Sequence, residues 1–284
     1  MMDSLKSLTA IVAVAAAIAG NALAAPAQAQ DGAAPFVEQG YIRIAIGNEP
    51  PYTGINPDGT VTGASPDLAR AVFQKMGIPD VSVSVSEMGA MIPGLQANRF
   101  DAVTAGMFMK PERCAAVIFS EPVLCDTIAF AVKKGNPLGL RTFEDIAKHP
   151  TARMSTVGGS TEEKMAIDLG VPRDRIILQP DPQSGVKMLQ DDRTDVTAMA
   201  VLSIAALIKQ ANDPNIEMVA PVGAPIYCDG VAFRKDDTAL RDAFDVVLAD
   251  MKTSGEFAKI IEPYGFSAAA AMQTNRETLC GGPN

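Results

Sequence analysis

The chain has 284 residues, 48% hydrophobic and 20% charged, with 24 Lys and Arg against 33 Asp and Glu for a net charge of -9. That much apolar material supports one or two packed cores, and an acidic balance without a basic run argues against a nucleic-acid partner. A single His disfavours a His-rich metal site or a Ser-His-Asp triad, and with 11 Phe, four Tyr and no Trp, any pocket aromatic stands against a thin background.

The N-terminus reads as an export signal. Lys6 is its one cation, Leu8 to Ile18 form an apolar run too short to span a bilayer, and two small-x-small sites follow at Ala22-Leu23-Ala24 and Ala27-Gln28-Ala29. Cleavage near Ala29 is expected, so residues 1–29 are assigned to the signal peptide and a soluble mature chain of roughly 255 residues to the periplasm. Export gives the four Cys a meaning, because an even number in an oxidising compartment favours two disulfides. Their spacing leaves three connectivities open, and no C-x-x-C or Cys/His cluster points to a metal.

The mature chain then alternates between strand and helix patterns. Tyr41 to Ile46 alternates as a strand and leads into a turn-rich stretch from Gly47 to Gly63. Ser65-Pro66-Asp67 reads as a helix start with Pro at the first position, Leu68, Val72, Phe73 and Met76 as the apolar face, and Gly77 as the stop. Val81, Val83 and Val85 mark a second strand, Met91 to Asn98 a helix, and Ala102-Val103 a third strand. The pattern restarts at Arg153 to Val157, with a helix from Ser160 and a strand at Ile176-Ile177-Leu178. Such alternation predicts an α/β fold built on mostly parallel sheets flanked by helices.

Two internal echoes point to two similar lobes. Leu95-Gln96-Ala97-Asn98-Arg99-Phe100-Asp101 resembles Leu189-Gln190-Asp191-Asp192-Arg193-Thr194-Asp195, and Cys125-Asp126-Thr127-Ile128-Ala129-Phe130 resembles Cys228-Asp229-Gly230-Val231-Ala232-Phe233. The expected architecture is two α/β lobes joined by two crossing strands, lobe 1 formed by residues 30–125 plus 229–284 and lobe 2 by 126–228.

Several motifs together carry a family resemblance. Glu49-Pro50-Pro51-Tyr52, Gly63-x-x-Pro66-Asp67-Leu68-Ala69, Met91-Ile92-Pro93-Gly94-Leu95, Phe100-Asp101-Ala102-Val103 and Lys110-Pro111-Glu112-Arg113 are similar to extracytoplasmic solute-binding proteins of ABC importers, polar amino-acid type, family 3. The likeness runs from about Tyr41 to Phe266. Gly106-x-Phe108-Met109-Lys110-Pro111-Glu112-Arg113-Cys114, Lys133 to Leu140 and Ile261 to Ser267 narrow it to the ectoine/hydroxyectoine-binding branch. It implies a type II periplasmic binding fold that captures a zwitterionic solute between closing lobes and delivers it to an inner-membrane permease. No cofactor or metal is expected, and the protein is expected to be a monomer.

The resemblance also assigns residues. Arg113, at a helix start, holds the ligand carboxylate with two parallel hydrogen bonds, a task suited to a guanidinium; a surface pair with Glu112 or Glu121 is the plainer alternative. Gly159 and Thr161, in Gly158-Gly159-Ser160-Thr161-Glu162-Glu163, bind the same carboxylate where a loop enters a helix, while the residues alone also fit an ordinary capping box of Ser160 with Glu163. Gly106 belongs to the same pocket.

Two departures from amino-acid-binding members bear on the ligand. Five residues before the clamp Arg, those members carry Thr or Ser, here Phe108; five residues after the Asp matching Asp195 they carry Asp, here Ala200. A primary ammonium without these partners would lose charge-assisted bonds worth roughly 1.5–3 kcal/mol each. The expected ligand therefore joins a carboxylate to a diffuse cation, with Tyr52 and Phe108 as aromatic walls and Glu49 accepting N–H bonds from an amidinium-like ring, as in ectoine. Ordinary core packing is the alternative for the two aromatics. Met88 stands where that branch carries a third aromatic, which alters the cage and leaves a betaine, a proline derivative or another polar amino acid as other ligands.

The resemblance further implies that Cys125 pairs with Cys228 at the hinge, leaving Cys114 with Cys280. Against binding stands one enzymatic reading, a dehydratase or lyase on the same scaffold, for which Glu49 is the one general acid or base to be placed. His149, in Lys148-His149-Pro150, reads as a surface loop residue. A binding protein rather than an enzyme is expected.

Overall fold

A computed structural model describes residues 27–220 and 225–281. The expected signal peptide lies almost wholly outside the described residues, and the expected cleavage point falls near the start of the first described helix. That helix, α1 (Ala27–Gln39), lies along a later helix of lobe 1. It leads into β1 (Tyr41–Ile46), the hairpin β2 (Gly54–Ile55) and β3 (Val61–Thr62), α2 (Ala64–Lys75), β4 (Asp80–Val85), α3 (Met88–Gln96) and β5 (Ala102–Val103). Next come α4 (Pro111–Ala116), β6 (Ile118–Phe119) and β7 (Cys125–Asp126).

The chain then builds a second sheet from β8 (Ile128–Lys133), α5 (Phe143–Lys148), β9 (Met154–Val157), α6 (Thr161–Asp168), β10 (Ile176–Gln179), α7 (Pro182–Gln190), β11 (Val196–Ala200), α8 (Val201–Ala211) and β12 (Ile216–Val219). It returns through β13 (Tyr227–Cys228) to β14 (Ala232–Phe233), α9 (Thr238–Ser254), α10 (Glu256–Ile261), α11 (Ala268–Met272) and α12 (Arg276–Cys280).

The two five-stranded sheets repeat one design. Their orders are β4-β1-β5-β14-β6 and β10-β9-β11-β8-β12. In each, three parallel strands meet one antiparallel strand, β14 or β8, that comes from across the hinge in sequence. The cores are separate. One packs Ile42, Ile44, Ile46, Leu68, Phe73 and Phe244, with the Phe73 and Phe244 rings 5.3 Å apart; the other packs Phe130, Phe143, Ile146, Met154 and Val196.

The sequence echo has a structural cause. Asn98 and Asp192 both take left-handed backbone, at φ 56° and 58°, to turn out of α3 and α7. Three residues on, Asp101 and Asp195 each accept a backbone N–H from the neighbouring strand segment, from Arg43 within β1 at 3.1 Å and from Arg153 just before β9 at 2.8 Å. Each lobe thus uses one carboxylate to tie the helix exit to a strand of its parallel set.

Helix starts differ from expectation. α2 begins at Ala64 with Gly63 as its cap, not at a Ser65 cap, because Ala64 and Ser65 donate their N–H groups to the Pro51 and Tyr52 carbonyls at 3.1 and 3.0 Å. The preceding loop, not a side chain, satisfies the helix end. α3 begins at Met88 rather than Met91 and ends at Gln96, so Met88 stands in a first helical turn and not at a strand end. Both disulfides are present, Cys114–Cys280 and Cys125–Cys228. The second joins the paired hinge strands β7 and β13, where Cys125 lies opposite Cys228.

Candidate ligand-binding site

The carboxyl-terminal ends of the parallel strands meet across the hinge, where open α/β sheets place their ligand crevices. A cavity of about 30 Å³ lies there between the lobes. Lobe 1 lines it with Glu49, Tyr52, Met88, Gly106, Phe108 and Arg113, and lobe 2 with Thr156, Ser160, Thr161, Glu162 and Ala200 among others. Seven of the eight residues singled out from sequence therefore line one cavity. The eighth, Gly159, borders a groove just outside it, together with Arg113 and Thr161.

The Tyr52 loop is shaped by close packing. Tyr52 is 1% exposed, its ring edge-on to Phe266 at 4.7 Å and to Phe108 at 6.4 Å. Gly106 sits against that ring with φ +70°, and a Cβ there would come within 2.6 Å of the Tyr52 ring. Only glycine tolerates both conditions. The Tyr52 hydroxyl reaches Asp126 of the hinge at 3.3 Å, and burial with nearby carboxylates pushes it well above its ordinary pKa. Phe108 pairs with the hinge through a bridge to Asp229 and stacks on Tyr227, 5.5 Å between centroids, while the Lys110 ammonium lies over the Tyr227 ring at 3.7 Å. This stack was not legible in sequence, since Tyr227 is more than a hundred residues from Phe108.

Charge in the cleft is held by few partners. The Arg113 guanidinium donates to the carbonyl oxygens of Phe108 at 2.8 Å and of Gly159 at 2.9 Å, the latter across the cleft. Neither Glu112 nor Glu121 takes it; Glu121 pairs instead with Arg276. Burial pushes the Arg113 pKa down, and Glu162 and Glu112 oppose that push. Glu49 accepts from the Ser203 hydroxyl at 2.7 Å, a second contact between lobes, and burial lifts its carboxyl to about 7. Glu162, on the lobe 2 wall, is also raised by burial. The sequence carries little signal for it beyond an acidic residue in the first turn of a helix.

The loop into α6 divides its groups. Ser160 caps the helix by accepting from the Glu163 N–H at 3.1 Å, while the Glu163 carboxylate returns to the Gly159 N–H at 2.6 Å rather than to Ser160. The Gly159 N–H is thus already engaged, and its carbonyl faces Arg113. Thr161 is different: its hydroxyl is buried without a hydrogen-bond partner among the described residues. A buried hydroxyl left unpaired is costly and marks a place where a polar ligand atom fits. Ala200, 4% exposed, presents only a methyl group where an acidic residue would hold an ammonium.

Two lobes on a paired hinge, with a cleft lined by one guanidinium, buried carboxylates, aromatic faces and an unpaired hydroxyl, define a two-lobed periplasmic binding protein of the type II fold. The description of bacterial extracellular solute-binding proteins, family 3, matches residues 42–267, and the chain belongs to that family. It is similar to a probable amino-acid ABC transporter periplasmic-binding protein of Sinorhizobium fredii, 35% identical over 255 residues that cover 85% of this chain and 83% of the relative. Among solved structures it resembles EhuB in complex with hydroxyectoine, at 64% identity and a TM-score of 0.86, covering 88% of this chain and 98% of that one. An ancestral amino-acid-binding protein, a precursor of cyclohexadienyl dehydratase, matches at 26% identity and a TM-score of 0.73, covering 81% and 98%. The protein is a solute-binding component of an ABC transporter. No described helix is long and apolar enough to cross a membrane.

Proposed function

We propose that the cleft binds ectoine or hydroxyectoine, by closure of lobe 1 (residues 30–125 and 229–284) on lobe 2 (126–228), and hands it to an inner-membrane permease from the periplasm. The observation that carries this reading is the presence of Arg113 and of a buried carboxylate, Glu49, in one pocket walled by Tyr52 and Phe108. A cyclic amidinium carrying a carboxylate matches both ends. Its carboxylate takes the guanidinium and the Thr161 hydroxyl, and its two N–H groups face Glu49. The rings supply flat, electron-rich faces for a delocalised cation. The 64% identity to a protein solved with hydroxyectoine supports the same ligand class.

Closure is coupled to the ligand through charge. Arg113–Gly159 and Glu49–Ser203 already join the lobes, so a ligand that replaces these partners with its own charges keeps the lobes bridged. The reading is of binding without turnover. Glu49 is oriented by Ser203 to hold a cation, and His149 stands outside the cleft, its Nδ1 accepting from the Thr151 and Ala152 N–H groups. A thermal-shift series tests it. Ectoine should raise the Tm of the wild type, and Arg113→Ala should abolish the rise. An equal rise in both proteins would remove Arg113 from the account.

A further inference from the structure

A second cavity adjoins the first behind Met88. It has a volume of about 330 Å³ and lies along the seam between the lobes. Glu49, Met88 and Val157 line both cavities, so the two are separated by little more than these side chains. The walls of the second are mainly apolar, from Ile55, Val85, Met91, Val157 and Pro182, with Glu87 and Asp181 on the rim. Val85, at the end of β4, is 59% exposed there, an apolar side chain without a partner.

Met88 is the boundary residue, and its chemistry suits a gate. It opens α3, is half-buried, and packs against the Met91 and Met107 cluster. An unbranched thioether has three rotatable bonds and adapts to the shape beside it. The backbone next to it is fixed instead: Gly89 touches Gly159 so closely that a Cβ on Gly159 would lie 2.6 Å from the Gly89 Cα. The seam can open at the side chain of Met88 while its main chain stays in place.

We propose that the second cavity is a subsite for an apolar substituent on the cationic end of the ligand, admitted by movement of the Met88 side chain. This deepens the ligand reading above and rests on it: the carboxylate stays at Arg113 and the cation at Glu49, which itself borders the second cavity. The class of ligand is then a carboxylated cyclic amidinium with an alkyl chain longer than methyl on the carbon between its two nitrogens. The acidic rim repels a second carboxylate at the far end of such a chain. A tyrosine or phenylalanine at position 88 has no comparable freedom and would close the passage.

The test is calorimetric titration with ectoine and with synthetic homologues carrying ethyl, propyl or butyl in place of its 2-methyl group. The wild type should bind the homologues at least as tightly as ectoine, with a gain of up to about fourfold per buried methylene. Met88→Tyr should weaken the butyl homologue by about tenfold or more relative to ectoine measured on the same variant. Val85→Trp, made at an exposed position, should fill the cavity from outside and weaken the butyl homologue alone. If ectoine binds and the propyl and butyl homologues lose tenfold or more on the wild type, the subsite is refuted and the ligand reading stands. Unchanged homologue affinity in both variants also refutes it. Absence of binding by ectoine and every homologue overturns the ligand reading and the subsite with it.

Discussion

Acid should close the ligand-free clamp. In the closed arrangement the Glu49 carboxyl, buried and accepting from Ser203, is lifted to about 7 from its ordinary 4.5. In an open cleft water reaches it and the ordinary value returns. At about 1.4 kcal/mol per pH unit, that gap is on the order of 3 kcal/mol against closing over the ionised group, a factor of roughly 300 in the open–closed equilibrium. The sign follows from the direction of the shift: a raised carboxyl favours the closed form in full below pH 4.5, and the advantage is lost as the pH climbs through 7. Glu162 and Asp126, also raised by burial beside the same cleft, act in the same direction, while Arg113 keeps its charge throughout. Small-angle scattering of ligand-free protein between pH 8.5 and 4.5 measures the effect. The radius of gyration should fall with acidification, and Glu49→Gln should flatten most of that fall. A wild-type radius that does not change with pH, or a Glu49→Gln protein that changes as much as the wild type, would refute the reasoning. A cationic ligand does by pairing what acid does by protonation, so a bound clamp should stay compact across the whole range.

Other expectations follow from single contacts. Asp229, 1% exposed in the hinge, is pushed to about 8 by burial while accepting the Leu124 N–H at 2.8 Å. Its stabilising effect is present in full below pH 3.8 and lost as pH rises through 8, so Asp229→Asn should raise the Tm relative to wild type at pH 9 and leave it little changed at pH 4 in thermal melts. Thr161→Val removes a hydroxyl that has no partner among the described residues; calorimetry should show ligand affinity down about five- to tenfold, with the Tm of the ligand-free protein unchanged or higher. Gly106→Ala forces φ +70° on a residue with a Cβ and drives it into the Tyr52 ring; chemical denaturation should show a loss of about 1–3 kcal/mol. Cys114→Ser with Cys280→Ser frees a C-terminal helix from lobe 1 across a separation of 166 residues; it should cost about 2–5 kcal/mol in chemical denaturation without changing ligand affinity.

What could be read in the sequence was whatever is local or repeated. Val81-x-Val83-x-Val85 gave β4 because alternation is the signature of a strand, and the Asn98/Asp192 echo marked the same turn in each lobe because both must leave a helix through left-handed backbone. The α2 start is not legible in the sequence because its N–H groups are met by the Pro51 and Tyr52 carbonyls, partners no local signal announces. In the cleft, Glu49, Tyr52, Met88, Gly106, Phe108, Arg113 and Thr161 are legible in the sequence, through motif resemblance as much as through chemistry. Ser203, Tyr227 and Glu162 are not. Ser203 meets Glu49 only when the lobes face each other, and Tyr227 meets Phe108 only at the hinge. The Gly159 N–H was expected on the ligand, and the structure commits it to Glu163, four residues along the same helix entrance.

The proposed binding mode places a carboxylate at Arg113 and a delocalised cation between Glu49, Tyr52 and Phe108. Calorimetric titration of ligand-stripped protein with ectoine, hydroxyectoine and arginine tests it most directly. One-to-one binding of ectoine or hydroxyectoine, with arginine about a hundredfold weaker or silent, is the predicted result. Tight binding of arginine with no heat from either ectoine would contradict it, because Phe108 and Ala200 leave a primary ammonium without the hydroxyl and carboxylate it needs.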